Sequence, residues 1–148
     1  MKPYERLQRH WCDTGARIIT TEQSEEIVRN LEQKYSITLP DDFREYLGLC
    51  CPKDDHCYDE EISWWPMDRI KNIVEEYKHE VTERTIAQHA EKYIFFADYA
   101  IWCWAWAIAC GKDENWGRVV VISGRDRFVA DSFSEFVDRY IDDPRQLL

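Results

Sequence analysis

The stretch 93–110, YIFFADYAIWCWAWAIAC, constrains this chain more than any other segment. It is the most apolar run, yet Asp98 interrupts it, and it is too short and too polar to span a bilayer. Two strands fit it, one over 93–97 and one over 101–110. In the second, Trp102, Trp104 and Trp106 alternate with Cys103, Ala105 and Ala107. Alternate residues of a strand share a face, so one face is large and the other small. The small face suggests close helix packing. The tryptophans are expected in the core; the alternative is an exposed aromatic stripe that serves as a binding hot spot. Asp98, just after the first strand, either caps the turn backbone or faces a partner.

Helices dominate before this stretch and strands after it. An opening helix runs through Tyr4, Leu7 and Trp11. A second is expected over 21–35, with Thr20 and Gln23 as a capping box and Ile27, Val28, Leu31 and Tyr35 on one face. Pro40 suits the first position of a third helix, where its missing N–H costs nothing. Asp41 and Asp42 favour the positive end of that helix dipole, and Phe43, Tyr46, Leu47 and Cys50 form its buried face. Residues 62–65 read as a short strand. Pro66 opens another helix carrying Met67, Ile70, Ile73, Val74 and Tyr77, and a shorter helical piece covers 82–91.

After the apolar stretch come a turn at 112–117, a strand at 118–123, a tight turn at Gly124 and a strand at 128–130. A closing helix starts at Ser132, boxed by Glu135, with Phe133, Phe136, Val137, Tyr140 and Ile141 in one stripe. The predicted class is α+β: an antiparallel sheet in the C-terminal half, packed against N-terminal helices and a closing C-terminal helix. One domain over 1–148 is expected, with its core at about 21–144.

Charge narrows the function. The chain carries 29 acidic and 19 basic residues, a net charge of −10. Such a body is repelled by phosphates, so nucleic acid is not an expected partner. Cationic partners are, with faster encounter at low salt. The plain alternative is that acidity only aids solubility. The N-terminal residues lack the apolar core of a secretory signal, so the expected location is the cytoplasm, off the membrane. The six cysteines (Cys12, Cys50, Cys51, Cys57, Cys103, Cys110) are then expected as reduced thiols.

Acidity peaks in DDHCYDEE, residues 54–61, where five carboxylates and one imidazole fall within eight residues. It reads as an acidic docking patch for lysine and arginine, as a solvated loop, or as a metal site through Asp54, His56, Cys57 and Asp59. The spacing matches no established ligand pattern. Trp64 and Trp65 follow, and alternation sends one of them outward, to serve as an anchor beside the acidic loop. No catalytic signature occurs: there is no Gly-x-Ser-x-Gly, no His-Glu-x-x-His and no phosphate-binding glycine loop. No cofactor is expected.

Four segments in order resemble the SMI1/KNR4 family of the SUKH superfamily. IVRNLEQKYSITLPDDFREYL (27–47) resembles its opening helix, apolar-x-Leu-Pro link and second helix. SWWPMDRI (63–70) is similar to its strand running into a Trp-Pro helix start. YIFFADYAIWCWAWAI (93–108) is similar to its central hairpin, and FVADSFSEFVDRYIDDP (128–144) to its closing strand and helix. One departure stands out. Many members carry an acidic, glycine-rich turn where this chain has Asp98-Tyr99-Ala100-Ile101.

The resemblance implies binding rather than catalysis. Members are typically bacterial immunity proteins that neutralise polymorphic toxins, often nucleases; others are fungal or regulatory interaction modules. It implies a basic toxin domain as partner, consistent with the charge. The expected contact residues are Asp54, Asp55, Asp59, Glu60, Trp65 and Asp98. The alternatives are a regulatory or scaffold module without a toxin partner, a homodimer built on exposed aromatics, and a metal-dependent or thiol enzyme centred on 54–61.

Overall fold

The computed structural model describes residues 1–148. Its frame is a six-stranded antiparallel meander of β3 (Tyr58–Asp59), β4 (Ile62–Trp64), β5 (Tyr93–Tyr99), β6 (Trp104–Ala109), β7 (Val119–Ile122) and β8 (Arg127–Ala130), in that order. Two short strands, β1 (Thr20–Thr21) and β2 (Cys51–Pro52), pair separately. The helices are α1 (Pro3–Thr14), α2 (Glu25–Tyr35), α3 (Asp41–Cys50), α4 (Ile73–Glu76), α5 (Arg84–Gln88) and α6 (Phe133–Asp142). The class is α+β, as the sequence pattern implies.

Positions 93–98 of β5 and all of β7 are buried without alternation. Continuous burial along a strand means that both faces of the sheet are covered. On one face lie α1, α3 and α6, and the contact is aromatic. Phe96 meets Phe136 at 5.1 Å and Phe43 at 5.4 Å, and Trp64 meets Tyr140 at 5.1 Å and Tyr46 at 5.9 Å. Edge-to-face and tilted ring pairs at such spacing add to the stabilisation from burial alone. On the other face, Trp65 lies 5.8 Å from Phe95, Trp102 lies 5.3 Å from Phe95, and Tyr77 stacks on Trp102 at 5.6 Å. The small side of β6 thus carries single rings and short helical turns instead of a long helix.

Three expected helical segments differ in the structure, through sheet pairing or better caps. Thr20 and Thr21 pair with Pro52 and Cys51, so the second helix starts later, at Ser24, whose Oγ accepts from Ile27 N at 3.2 Å. Ile27, expected on the buried face, is exposed. The helix expected from Pro66 stops after one 3-10 turn, Met67–Arg69. Lys71 O then accepts from Phe95 N at 2.9 Å and Asn72 bridges Ile94, which pulls the backbone onto β5. Asn72 Oδ1 accepts from Glu75 N at 2.9 Å and starts the short α4, which leaves Val74 exposed. The piece expected over 82–91 is α5 followed by a 3-10 turn, Ala90–Lys92.

At the closing helix Ser132 Oγ accepts from Glu135 N at 3.0 Å as expected. Glu135 itself reaches back one residue further, to Asp131 N at 3.0 Å. The last correction concerns the tryptophans. Residues 101–103 form a turn, so Trp102 is not on the strand; Trp106 is buried, and Trp104 is half-buried with its ring on Tyr99 at 4.3 Å.

Candidate functional site

The second half of the acidic segment, from Tyr58, forms a hairpin with residues 62–64 at one edge of the sheet, and Asp54 and Asp55 lie in the turn before it. Tyr58 pairs with Ser63 and Asp59 with Ile62, and Glu60-Glu61 make a two-residue turn with Glu60 at φ 53. An unpaired strand edge invites indiscriminate pairing. Here it is covered: Arg17 N donates to Tyr58 O at 3.0 Å and Tyr58 N to Arg17 O at 2.9 Å.

Asp59 ties this hairpin to the helical layer. Its Oδ2 accepts from the Tyr140 hydroxyl of α6 and lies 3.3 Å from His10 Nε2 of α1. Trp11 Nε1 in turn donates to the Tyr140 oxygen at 3.0 Å. Burial, and then the carboxylate of Asp59, push the Tyr140 phenol far above its ordinary range. Cys57 is sealed as well, with Sγ 3.2 Å from Ile19 O. By contrast Asp54, Asp55, Glu60 and Glu61 are exposed. None of the four takes part in an ion pair.

Beside the hairpin runs the β5–β6 turn, built around a buried carboxylate. Asp98 Oδ1 accepts from Trp65 Nε1 at 2.6 Å, and Oδ2 accepts from Trp102 N at 2.8 Å. The Arg69 guanidinium lies 3.7 Å from Oδ1 and 4.0 Å from the centre of the Trp65 ring. These bonds hold an unusual backbone. Ala100, Ile101 and Trp102 have φ of 48°, 54° and 64°, three successive left-handed residues without a glycine. That conformation is costly, most of all for a β-branched residue. Its outcome is that Ile101 stands fully exposed, at 100%.

The two turns touch, since Ala100 N donates to Glu61 O at 2.9 Å. Between them lies a cleft of about 400 Å³, bounded by Glu60, Glu61, Arg69, Ile101 and Trp102. A second hollow of about 290 Å³ opens on the other side of the hairpin, bounded by His10, Arg17, Tyr58 and Tyr140.

Two of the six expected contact residues lie inside the protein. Trp65 does not face outward. Both Trp64 and Trp65 are fully buried, because each face of the sheet is covered: Trp64 meets Trp11 at 5.3 Å on the helical side, and Trp65 meets Phe95 on the other. Asp98 is also inside, its side chain only 3% exposed, and it caps the turn rather than presenting itself. Asp54, Asp55 and Glu60 are on the surface, and Asp59 is half-buried in its network. The metal arrangement through Asp54, His56, Cys57 and Asp59 does not assemble: Cys57 and Asp59 turn inward, and no three His, Cys, Asp or Glu side chains converge. Glu61 belongs to the acidic segment read as a docking patch, whereas Ile101 and Trp102 were not expected at a cleft. The only signal for them was the absence of glycine after Asp98.

The model of the SMI1 / KNR4 family (SUKH-1) matches residues 23–139. The matched span includes the hairpin, the β5–β6 turn and the cleft between them. It leaves out α1, which supplies His10 and Trp11 to the Asp59 network. No curated protein matches the chain. No helix is long and apolar enough to cross a membrane.

Proposed function

The chain belongs to the SMI1/KNR4 family (SUKH-1), and from that premise we propose that it is an immunity-type protein that binds a basic toxin domain one to one and neutralises it. It acts as a binder and not as an enzyme. The observation that carries this reading is the set of four exposed carboxylates without ion pairs, Asp54 and Asp55 in the turn before the hairpin and Glu60 and Glu61 at its tip, on a hairpin anchored from beneath by Asp59. What sets these four apart is their concentration within eight residues of sequence. Two of them, Glu60 and Glu61, also line a cleft together with the exposed Ile101.

Such an arrangement accelerates encounter with a cationic surface and rejects anionic ones. Asp54, Asp55 and Glu60 are the direct contacts in this reading. Asp59 holds the hairpin through Tyr140. Trp65 and Asp98 contribute from inside, by fixing the turn that carries Ile101.

Capture from the host on tagged protein, washed at low and at moderate salt, tests the proposal. One basic toxin domain at stoichiometric level is expected, with an association rate that falls as salt rises. Recovery of regulators alone would replace this reading with that of a regulatory module of the same fold.

A further inference from the structure

Within the cleft between the two turns, the charges do not balance. Arg69 is already taken: it pairs with Asp98 at 3.7 Å and covers the Trp65 ring at 4.0 Å. Glu60 and Glu61, on the rim, have no cationic partner. The cleft therefore keeps the charge of two carboxylates.

Hydrocarbon from Ala100, Ile101 and Trp102 also lines it, with Ser63 and Tyr58 completing the lining. Ile101 is fully exposed there. Trp102 has Tyr77 stacked on it at 5.6 Å and has committed its indole N–H to Glu76 at 3.0 Å, so it offers the cleft ring surface and no donor. The bond from Ala100 N to Glu61 O keeps rim and apolar lining in a fixed relation. At about 400 Å³ the cleft is at the small end of ligand sites, suited to a side chain or two rather than to a helix.

An acidic or phosphorylated group is repelled by this rim, and a purely apolar one leaves both carboxylates unanswered. A side chain with an apolar stem and a cationic head matches both kinds of lining. Resting on the binding role proposed above, we infer that the cleft takes an arginine or lysine side chain of the partner protein. Its stem lies against Ile101 and Trp102, and its charge lies between Glu60 and Glu61. The residue next to it in the partner is apolar and meets Ile101. This cleft, more than the carboxylates at Asp54 and Asp55, then sets which basic partner is accepted: long-range charge speeds encounter, while a lined cleft selects.

The test uses two blocked tripeptides, acetyl-Leu-Arg-Ser-amide and acetyl-Leu-norleucine-Ser-amide, titrated into isotopically labelled full-length protein. The expected result is saturable amide shifts at Glu60, Glu61 and residues 100–102. The arginine peptide binds at least fivefold more tightly than the norleucine peptide, and the difference disappears in E60Q/E61Q. Equal responses to both peptides, shifts centred on Asp54 and Asp55, or no saturable shift at the cleft would overturn the inference.

Failure of the cleft and failure of the toxin reading give different results. A captured basic partner whose affinity is unchanged in E60Q/E61Q removes the cleft and keeps the immunity role. A cleft that selects the arginine peptide, in a protein that captures no toxin domain, keeps the cleft and removes that role.

Discussion

The two faces of the sheet are built differently. The face toward α1, α3 and α6 is a continuous aromatic layer on long helices, with Phe96 and Phe133 in contact with each other and each with Phe43 and Phe136. The opposite face is covered by residues 65–92, which form only short helical turns, and by the Asp98 cluster. One face has many apolar neighbours to share a loss. The other rests on a few polar bonds that also shape the surface. The difference places stability on one side and the candidate binding cleft beside the other.

Substitutions on the two faces should therefore fail in different ways. The largest effect is expected from Trp64→Ala. The ring is fully buried between Trp11, Tyr46, Phe96 and Tyr140. Its removal should cost about 3–5 kcal/mol, read as a fall in the urea midpoint for the whole molecule. A loss below about 1 kcal/mol would mean that the aromatic layer is not the main source of stability.

Asp98→Ala comes next. It removes the acceptor for Trp65 Nε1 and Trp102 N and leaves Arg69 without its partner. A cost of about 1–3 kcal/mol is expected. The informative readout is local: amide hydrogen exchange should rise at residues 100–102 while β7 stays protected. Uniform loss of protection would erase the distinction between the faces.

The thiols sharpen the same contrast. Burial pushes Cys50 and Cys51, on the helical side, up to about 12 from an ordinary 9.0. Cys103, in the β5–β6 turn, is exposed, as is Cys12. A thiol reagent should label Cys103 and Cys12 quickly and the buried thiols only on unfolding. The pH dependence follows from the sign of the shift. A folded-state pKa above the unfolded one means that the folded protein binds more protons between those values. This contribution is complete below pH 9 and is lost as pH rises toward 12. The urea midpoint should fall over that window, and less steeply in Cys50→Ala/Cys51→Ala.

These contrasts also explain what could be read from the sequence. The helical side was legible because its signals are local: Phe43, Tyr46 and Leu47 repeat at helical spacing, and Phe133, Phe136, Val137 and Tyr140 do so after a serine cap. All of them are buried. The other side was not, because long-range pairing decides it. Nothing near Pro66 announces that Lys71 O will accept from Phe95 N, yet that bond ends the expected helix. Trp65 was placed outward by alternation, a rule that presumes one solvated face, and this sheet has none at that point. The acidity of 54–61 was plain in the sequence. Its hairpin was not, since Glu60-Glu61 lacks the Asn-Gly or Gly residues that usually mark such a turn.

The smallest effect on stability should accompany one of the largest on binding. Asp54 and Asp55 are exposed, form no ion pair and carry no element of the core. Asp54 makes one local bond, from His56 N at 2.8 Å. Asp54→Lys/Asp55→Lys should therefore shift stability by no more than about 0.5 kcal/mol. The same change moves the net charge of the double variant from −10 toward −6, since each reversal adds two units, and it does so at the rim of the proposed interface. Association with a basic partner should slow about tenfold or more at low salt, and the difference should shrink as salt screens the charges. If the variant instead associates as fast as the parent protein, Asp54 and Asp55 have no part in steering. Their acidity would then serve solubility alone, and the case for a basic partner would rest on the cleft between Glu60 and Ile101.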